Sequence, residues 1–275
     1  MTIDSILRNA TDEQLGLAVE ENVYAMFRSM TQVLNGEIEE TEQLSRFHAW
    51  PSSPIFKGAF RPRLEPNEAD AAILDTIDWY KARNAPFFFW WVGNDTQPKN
   101  LGEKLEAHGL AVFEKDAPSM AADINNLNWD NPRPSELRLN PISNDEELAQ
   151  WKQTFIEAFG VPEFAGQAWV DATQAVGIGK TPWHLLLGTL NSEAVCCGLL
   201  YCGAGVAGLL GLGTRPANRR KGIGSAMQLE RLRIARELGY QYAVLFASEM
   251  GYSPYIKLGF QDTGRRVSRY LWRNQ

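Results

Sequence analysis

The run Arg219-Arg220-Lys221-Gly222-Ile223-Gly224 falls between an apolar segment, Val206–Thr214, and a stretch in which Ile223, Met227, Leu229, Leu232, Ile234 and Leu238 recur at roughly helical spacing. That spacing, with charge on the other side, reads as an amphipathic helix. A glycine-rich turn that leads a strand into a helix aims several backbone N–H groups at one spot. The positive end of the helix dipole lies there too, so phosphate oxygens find a seat. Arg215, Arg219, Arg220 and Lys221 place four cations within seven residues, and the expected ligand carries several phosphates. A basic loop that merely joins two elements fits the same string. The pattern has neither the Gly-Lys-Ser/Thr of a P-loop nor the Gly-x-Gly-x-x-Gly of a dinucleotide fold.

Context narrows the choice. A second strand is expected at 242–247, followed by Ser248 and, seven residues later, Tyr255-Ile256-Lys257-Leu258-Gly259-Phe260. These two motifs, in this order and at this spacing, resemble the GCN5-related N-acetyltransferase (GNAT) superfamily. Its members carry Arg/Gln-x-x-Gly-x-Gly/Ala after their fourth strand and a Tyr-x-x-Leu-Gly-Phe-like sequence at the end of a short helix. The resemblance covers about residues 135–275 and implies an α+β fold around a mixed sheet. The implied order is strand, two helices, three strands, helix, strand, helix, two strands.

The individual expectations agree with that order. A first strand covers 136–140. Ser143, with Glu146 three residues on, forms a capping box that opens a helix to about 159. A second helix spans 164–176. Strands follow at 183–190, 194–202 and 206–214, with turns at Asn191-Ser192-Glu193 and Gly203-Ala204-Gly205.

Residues 129–135, with Pro132 and Pro134, read as a linker, so the expected domains are 1–130 and 135–275. The first half repeats the second more faintly. A helix is expected over 12–30, strands over 36–47 and 55–63, a helix capped by Asn67 to about 83, and an apolar strand over 87–92. A short helix at 101–108 then precedes Gly109-Leu110. An offset of 150 sets Leu105 against Tyr255 and Leu110 against Phe260. The first half lacks both the basic glycine loop and the tyrosine. The expectation is two tandem GNAT-like domains, of which the N-terminal one is degenerate, has lost acyl-CoA binding, and serves as scaffold or substrate wall.

A chain of 275 residues with 44% hydrophobic content has ample material for packed cores. No apolar run reaches membrane-spanning length, and the acidic N-terminus speaks against a signal peptide. Cys196, Cys197 and Cys202 fall in one expected hairpin, where they read as small core residues in a reducing cytoplasm, and no metal-type Cys/His spacing is present. Residues 1–134 carry 12 Lys/Arg against 21 Asp/Glu, a net −9, whereas residues 135–275 carry 15 against 12, a net +3. The acidic half argues against nucleic acid as a partner across the whole surface. A cytoplasmic monomer or homodimer, with no metal, nucleic acid or membrane partner, is expected.

The resemblance also implies the chemistry. Acetyl-CoA would be the acyl donor, its pyrophosphate held by backbone N–H groups across Arg220–Ser225, namely Arg220, Lys221, Gly222, Ile223, Gly224 and Ser225, with Arg219 among the neutralising cations. Its pantetheine arm would bond main chain at the end of the fourth strand, at Leu212, Gly213 and Thr214. Gly211 and Gly213 would let that backbone splay, or else only mark a bulge. A neutral amine would attack the thioester directly, a main-chain N–H of the fourth strand would face the oxyanion, and Tyr255 would protonate the leaving thiolate. Tyr255 is also placed to pack on the sheet. Ser248 stands where many members have a cofactor-contacting Asn, and its reach is shorter.

No acid lies on 205–214, so the base is open. Glu157, Glu163, His184 and Glu249 are candidates, and an ordered water chain is an equal alternative. Phe87-Phe88-Phe89-Trp90-Trp91 reads as a buried strand or as a pocket wall. Glu37-Ile38-Glu39-Glu40-Thr41-Glu42 reads as a solvated edge. The expected activity is transfer of an acetyl group to a small-molecule amine. A catalytically silent acyl-CoA-binding module and a protein or peptide N-acetyltransferase are the alternatives.

Overall fold

Short-range chemistry sets most element boundaries in the computed structural model, which describes residues 5–49, 56–130 and 132–274. Ile55 and Asn131, within the strand and linker expected above, lie outside the described residues. Helix α1 (Asp12–Val33) is followed by strands β1 (Glu37–Glu40), β2 (Ser45–His48) and β3 (Lys57–Phe60) and helix α2 (Ala69–Lys81). Next come β4 (Phe87–Val92), α3 (Leu101–Ala107) and the long β5 (Ala111–Asp123). Then β6 (Leu137–Pro141), α4 (Asp145–Phe159), α5 (Glu163–Val176), β7 (Trp183–Leu190), β8 (Glu193–Gly203) and β9 (Val206–Thr214) lead to α6 (Ile223–Glu237). Last are β10 (Tyr242–Phe246), α7 (Glu249–Leu258) and β11 (Gln261–Arg273).

Four local expectations shift. The single strand expected over 36–47 is the hairpin β1–β2, because the Thr41 hydroxyl accepts from the Leu44 and Gln43 N–H groups and turns the chain. Glu68, not Asn67, is the residue before α2. The cap of α4 lies one residue late: Asn144 Oδ1 accepts from Glu147 N at 2.9 Å, and Glu147 reaches back to the Ser143 N–H and hydroxyl. This arrangement uses Asn144 and Glu147 in place of Ser143 and Glu146. Finally, one strand, β11, follows α7 where two were expected.

The chain forms two compact units, and neither is continuous in sequence. One contains the chain up to Met26 together with Ser119–Thr263; the other contains Phe27–Pro118 and the chain from Gly264 onward. In the first, the strand order is β5-β10-β9-β8-β7-β6, with β9 and β10 parallel and joined through α6. The neighbours of β10 are therefore β9 and β5, the latter pairing Tyr242 with Asp123 through Phe246 with Ser119. In the second, the order is β1-β2-β3-β4-β11, with β3 and β4 parallel and joined through α2. Here β11 pairs with β4 from Ser268–Val92 to Arg273–Phe87.

The first unit buries Met120, Leu186, Leu200, Leu209, Met227 and Phe260 in its core. Leu15, Ala18 and Val19 of α1 close another face against Val206, Tyr242 and Val244. Each large side chain buried this way contributes about 1.5–3 kcal/mol. A polar clasp fixes the register of α1. Asn22 is buried, and its Nδ2 donates to the carbonyl of Gly203 at 2.8 Å, with Tyr201 and Val206 carbonyls at 3.3 and 3.4 Å. Gly208 makes room for it, since a Cβ there would lie 1.8 Å from Asn22 Oδ1. Asn22→Ala strips these carbonyls of their donor and should cost about 1–3 kcal/mol. Equilibrium denaturation measures this, and an unchanged midpoint would remove the clasp from the account.

Candidate active site

The site grows out of a parallel pair that comes apart. β9 and β10 are in register only at Ala207–Ala243 and Gly208–Val244, although β9 runs on to Thr214. Past Gly208, that side of β9 has no paired strand among the described residues. On its other side, the ladder with β8 slips between Cys197–Gly213 and Leu199–Leu210, leaving Gly211 and Leu212 without partners. This is a β-bulge, with Gly211 at φ +56° where an L side chain is disfavoured. Gly213 has a separate reason: a Cβ there would meet Ala158 Cβ at 2.7 Å and Phe159 at 2.8 Å, so only glycine admits the end of α4. Unpaired backbone groups beside a splayed strand are what an extended, amide-bearing ligand needs. Leu212, Gly213 and Thr214 lie on this stretch.

Thr214 meets the start of α6, its Oγ1 being 3.4 Å from a Cβ built at Gly224. After a 3-10 turn at Pro216–Asn218, the chain passes through left-handed conformations at Arg220 (φ +62°) and Gly222 (φ +75°) before Ile223 opens α6. No side chain caps this helix. Ala226 N donates to Gly222 O, whereas Ile223, Gly224 and Ser225 stand ahead of the first intrahelical acceptor. Gly222 is further confined because a Cβ would lie 2.8 Å from the carbonyl oxygen of Pro132.

The four loop cations divide into two kinds. Arg220 and Lys221 are exposed and have no acidic partner among the described residues. Arg219 donates to the carbonyls of Thr214 (3.1 Å) and Ala158 (2.8 Å), clamping the loop to the end of α4. Arg215 is paired with Glu157 at 3.1 Å and Glu193 at 3.5 Å.

Tyr255 sits on α7, half-buried, with its ring 5.8 Å from that of Phe260. Burial raises its pKa above the ordinary phenol value and the positive charge of Arg231 opposes that rise, so the phenol is protonated at neutral pH. Ser248 is the N-cap of α7, its Oγ accepting from Gly251 N at 3.2 Å. The hydroxyl hydrogen is still free to donate outward. Among the base candidates, Glu157 is tied to Arg215, and Glu163 is paired with Lys152 at 3.3 Å. His184 is half-buried opposite Leu200, its pKa lowered by burial, and Glu249 is exposed in the first turn of α7.

The sequence reading passed over a buried cation. Arg231 of α6 is fully buried; its Nη1 donates to the Leu199 carbonyl at 2.8 Å and the Leu210 carbonyl at 2.7 Å, and Nη2 donates to Gln228 Oε1. Burial lowers its pKa to about 10, which keeps it charged at neutral pH. The buried face of α6 is Ile223, Ala226, Met227, Gln228, Arg231, Leu232 and Ala235, so charge lies inside as well as outside. The signal was available: Arg231 stands four residues after Met227, on the apolar stripe itself.

Solved structures match this arrangement along nearly its whole length. A GCN5-related N-acetyltransferase from Kribbella flavida gives a TM-score of 0.69 at 16% identity, covering 94% of this chain and 96% of that one. One from Sphaerobacter thermophilus gives 0.62 at 16% identity, covering 97% and 94%. A tandem GNAT protein from the clavulanic acid biosynthesis pathway gives 0.60 at 10% identity, covering 98% and 97%. No family model and no curated protein matches the chain. This is the GNAT fold in its tandem form.

Both halves of the GNAT tandem carry the same internal signature. Gly109 and Gly259 each end a short helix at positive φ, +84° and +106°. Leu110 N donates to Leu105 O at 3.0 Å, and 150 residues on Phe260 N donates to Tyr255 O at 3.0 Å. The helix starts differ. α2 opens with Glu68 and Asp70, and Asp70 bonds Lys104 and His108, so carboxylates already occupy the positive end of its dipole. No helix among the described residues is long and apolar enough to cross a membrane, and no cluster of metal-ligating side chains occurs among them.

Cys196, Cys197 and Cys202 are free thiols whose pKa values burial pushes up to about 12. Such thiols are poor nucleophiles. With a chromogenic disulfide at pH 8, the folded protein should show no fast-reacting cysteine, and three should appear on denaturation. A rapid thiol in the native protein would reopen a covalent route.

Proposed function

We propose that the protein is an acyl-CoA-dependent N-acyltransferase that moves an acetyl group from acetyl-CoA to a small-molecule amine by direct attack. The observation that carries this reading is the parting of β9 from β10 beside an uncapped helix N-terminus flanked by Arg220 and Lys221. The pantetheine amides would complete the unpaired edge of β9 at Leu212, Gly213 and Thr214. The pyrophosphate would lie on the N–H groups of Ile223, Gly224 and Ser225, with Gly222 and the exposed cations beside it. Arg219 would serve by holding the loop, and Ser248 by donating its hydroxyl hydrogen.

In the reaction the amine lone pair forms the N–C bond and the carbonyl oxygen takes up negative charge. Collapse breaks the C–S bond and expels the CoA thiolate, which receives the Tyr255 proton. The proton lost from the amine nitrogen returns, through solvent, to the phenolate. The domain reading follows: the C-terminal half binds acetyl-CoA, and the N-terminal half, with carboxylates at the start of α2, has lost that capacity. Free thiols, two of them buried and that of Cys202 partly so, fit a cytoplasmic setting.

One observation favours a second reading, a silent acyl-CoA sensor: β9 bears no carboxylate, and both Glu157 and Glu163 are ion-paired. Thiol release from acetyl-CoA across a panel of amines separates the two. Turnover with any amine supports the transferase, and tight binding with no turnover supports the sensor. Tyr255→Phe should lower kcat about tenfold or more with little change in acetyl-CoA affinity. Unchanged turnover would take Tyr255 out of the mechanism.

A further inference from the structure

Arg231 is a desolvated cation with no carboxylate beside it among the described residues; it donates to two main-chain carbonyls and to Gln228. Arg231 Nε and Gln228 Nε2 find no acceptor there at all. Leaving such groups unsatisfied inside a protein is costly, and an apolar side chain of similar volume would ordinarily serve packing better. The charge is placed under the bulge. Leu199 and Leu210 are the last ladder pair before the register slips, and the guanidinium takes the carbonyls of both. Gly198 makes room for its stem, since a Cβ there would lie 3.1 Å from Arg231 Cδ.

The Leu210 carbonyl belongs to the same peptide unit as the Gly211 N–H, and in a trans peptide the two point in opposite directions. With the carbonyl turned to Arg231, the Gly211 N–H is turned away from it, and Gly211 has no cross-strand partner in the ladders on either side of β9. A charge-assisted bond at the carbonyl polarises the whole peptide and makes its N–H the stronger donor.

Resting on the acyl-CoA reading above, we propose that Arg231 is a positioning residue for acyl transfer. By binding the Leu210 carbonyl it fixes the bulge peptide and presents a polarised Gly211 N–H to the thioester carbonyl oxygen, where negative charge develops during attack. Arg231 touches neither substrate nor leaving group and acts through this one peptide. Its charge also reaches Tyr255, where it opposes the rise caused by burial.

The test uses the full chain and acetyl-CoA labelled with carbon-13 at the thioester carbonyl. Infrared difference spectra of the bound thioester report how strongly its carbonyl is polarised and need no acceptor amine. The wild type should shift the carbonyl stretch to lower frequency. Arg231→Met should lose at least half of that shift and lower kcat about tenfold to a hundredfold, while calorimetric affinity for acetyl-CoA changes little. If Arg231→Met does not fold, Arg231→Gln, which keeps a neutral donor without the charge, carries the same comparison and the same expectation. A purely structural arginine would alter stability and affinity but leave the bound carbonyl frequency as in the wild type, and that result overturns the proposal. A wild-type protein that takes up no acetyl-CoA overturns the acyl-CoA reading itself, and this proposal with it.

Discussion

Two parallel strands that pair over two residues and then separate are the constraint on which the rest of the C-terminal half depends. Once β10 leaves β9 at Gly208, the backbone from Leu209 to Thr214 loses its neighbour on that side. Backbone amides without partners are tolerated only where water or a ligand completes them. The chain keeps the gap open with local devices: a bulge at Gly211, a close approach of α4 at Gly213, and the Arg219 clamp between Thr214 and Ala158. Together they aim the end of β9 at the first turn of α6.

The two halves show how little of a function resides in a fold. Each has a strand, a helix, a parallel strand and a short helix closed by a left-handed glycine, and the closing hydrogen bonds recur at an offset of 150 residues. What separates them is charge at one helix terminus. α6 begins behind Gly222 with Arg220 and Lys221 uncommitted, whereas α2 begins behind Glu68 with Asp70 in its first turn. An anion is drawn to the first and repelled by the second. In place of Tyr255, the first half has Leu105, fully buried and unable to move a proton.

Much of this was legible because it is local. The glycine loop, the helices α4 to α7 and the Tyr255–Phe260 closure each depend on residues a few positions apart, and sequence spacing reports such features directly. The slips are instructive for the same reason. Asn144 and Glu147 satisfy a capping box as well as Ser143 and Glu146, and spacing alone does not choose between them. The division of long strands was hidden because it is set by pairing between distant segments: β5 lies beside β10, and β11 lies beside β4. The docking of α1 through Asn22 on the β8–β9 hairpin is hidden likewise, since its partners are about 180 residues away. Arg231 was missed for another reason: helical periodicity sorts residues by polarity, and an arginine is assigned to solvent by default.

That default fails here because the arginine is anchored on main-chain carbonyls beside the bulge. The extra residue at Gly211–Leu212 breaks the ladder beside this pair, and Arg231 Nη1 reaches both of its carbonyls from α6. A neutral aliphatic side chain would fill the space yet bring neither carbonyl a charged donor. Lysine would bring a point charge without the fork that spans two strands. Arginine satisfies both carbonyls, provided residue 198 has no Cβ to obstruct it, and Gly198 stands there. Gly198, Gly211 and Arg231 therefore meet at one point shared by β8, β9 and α6.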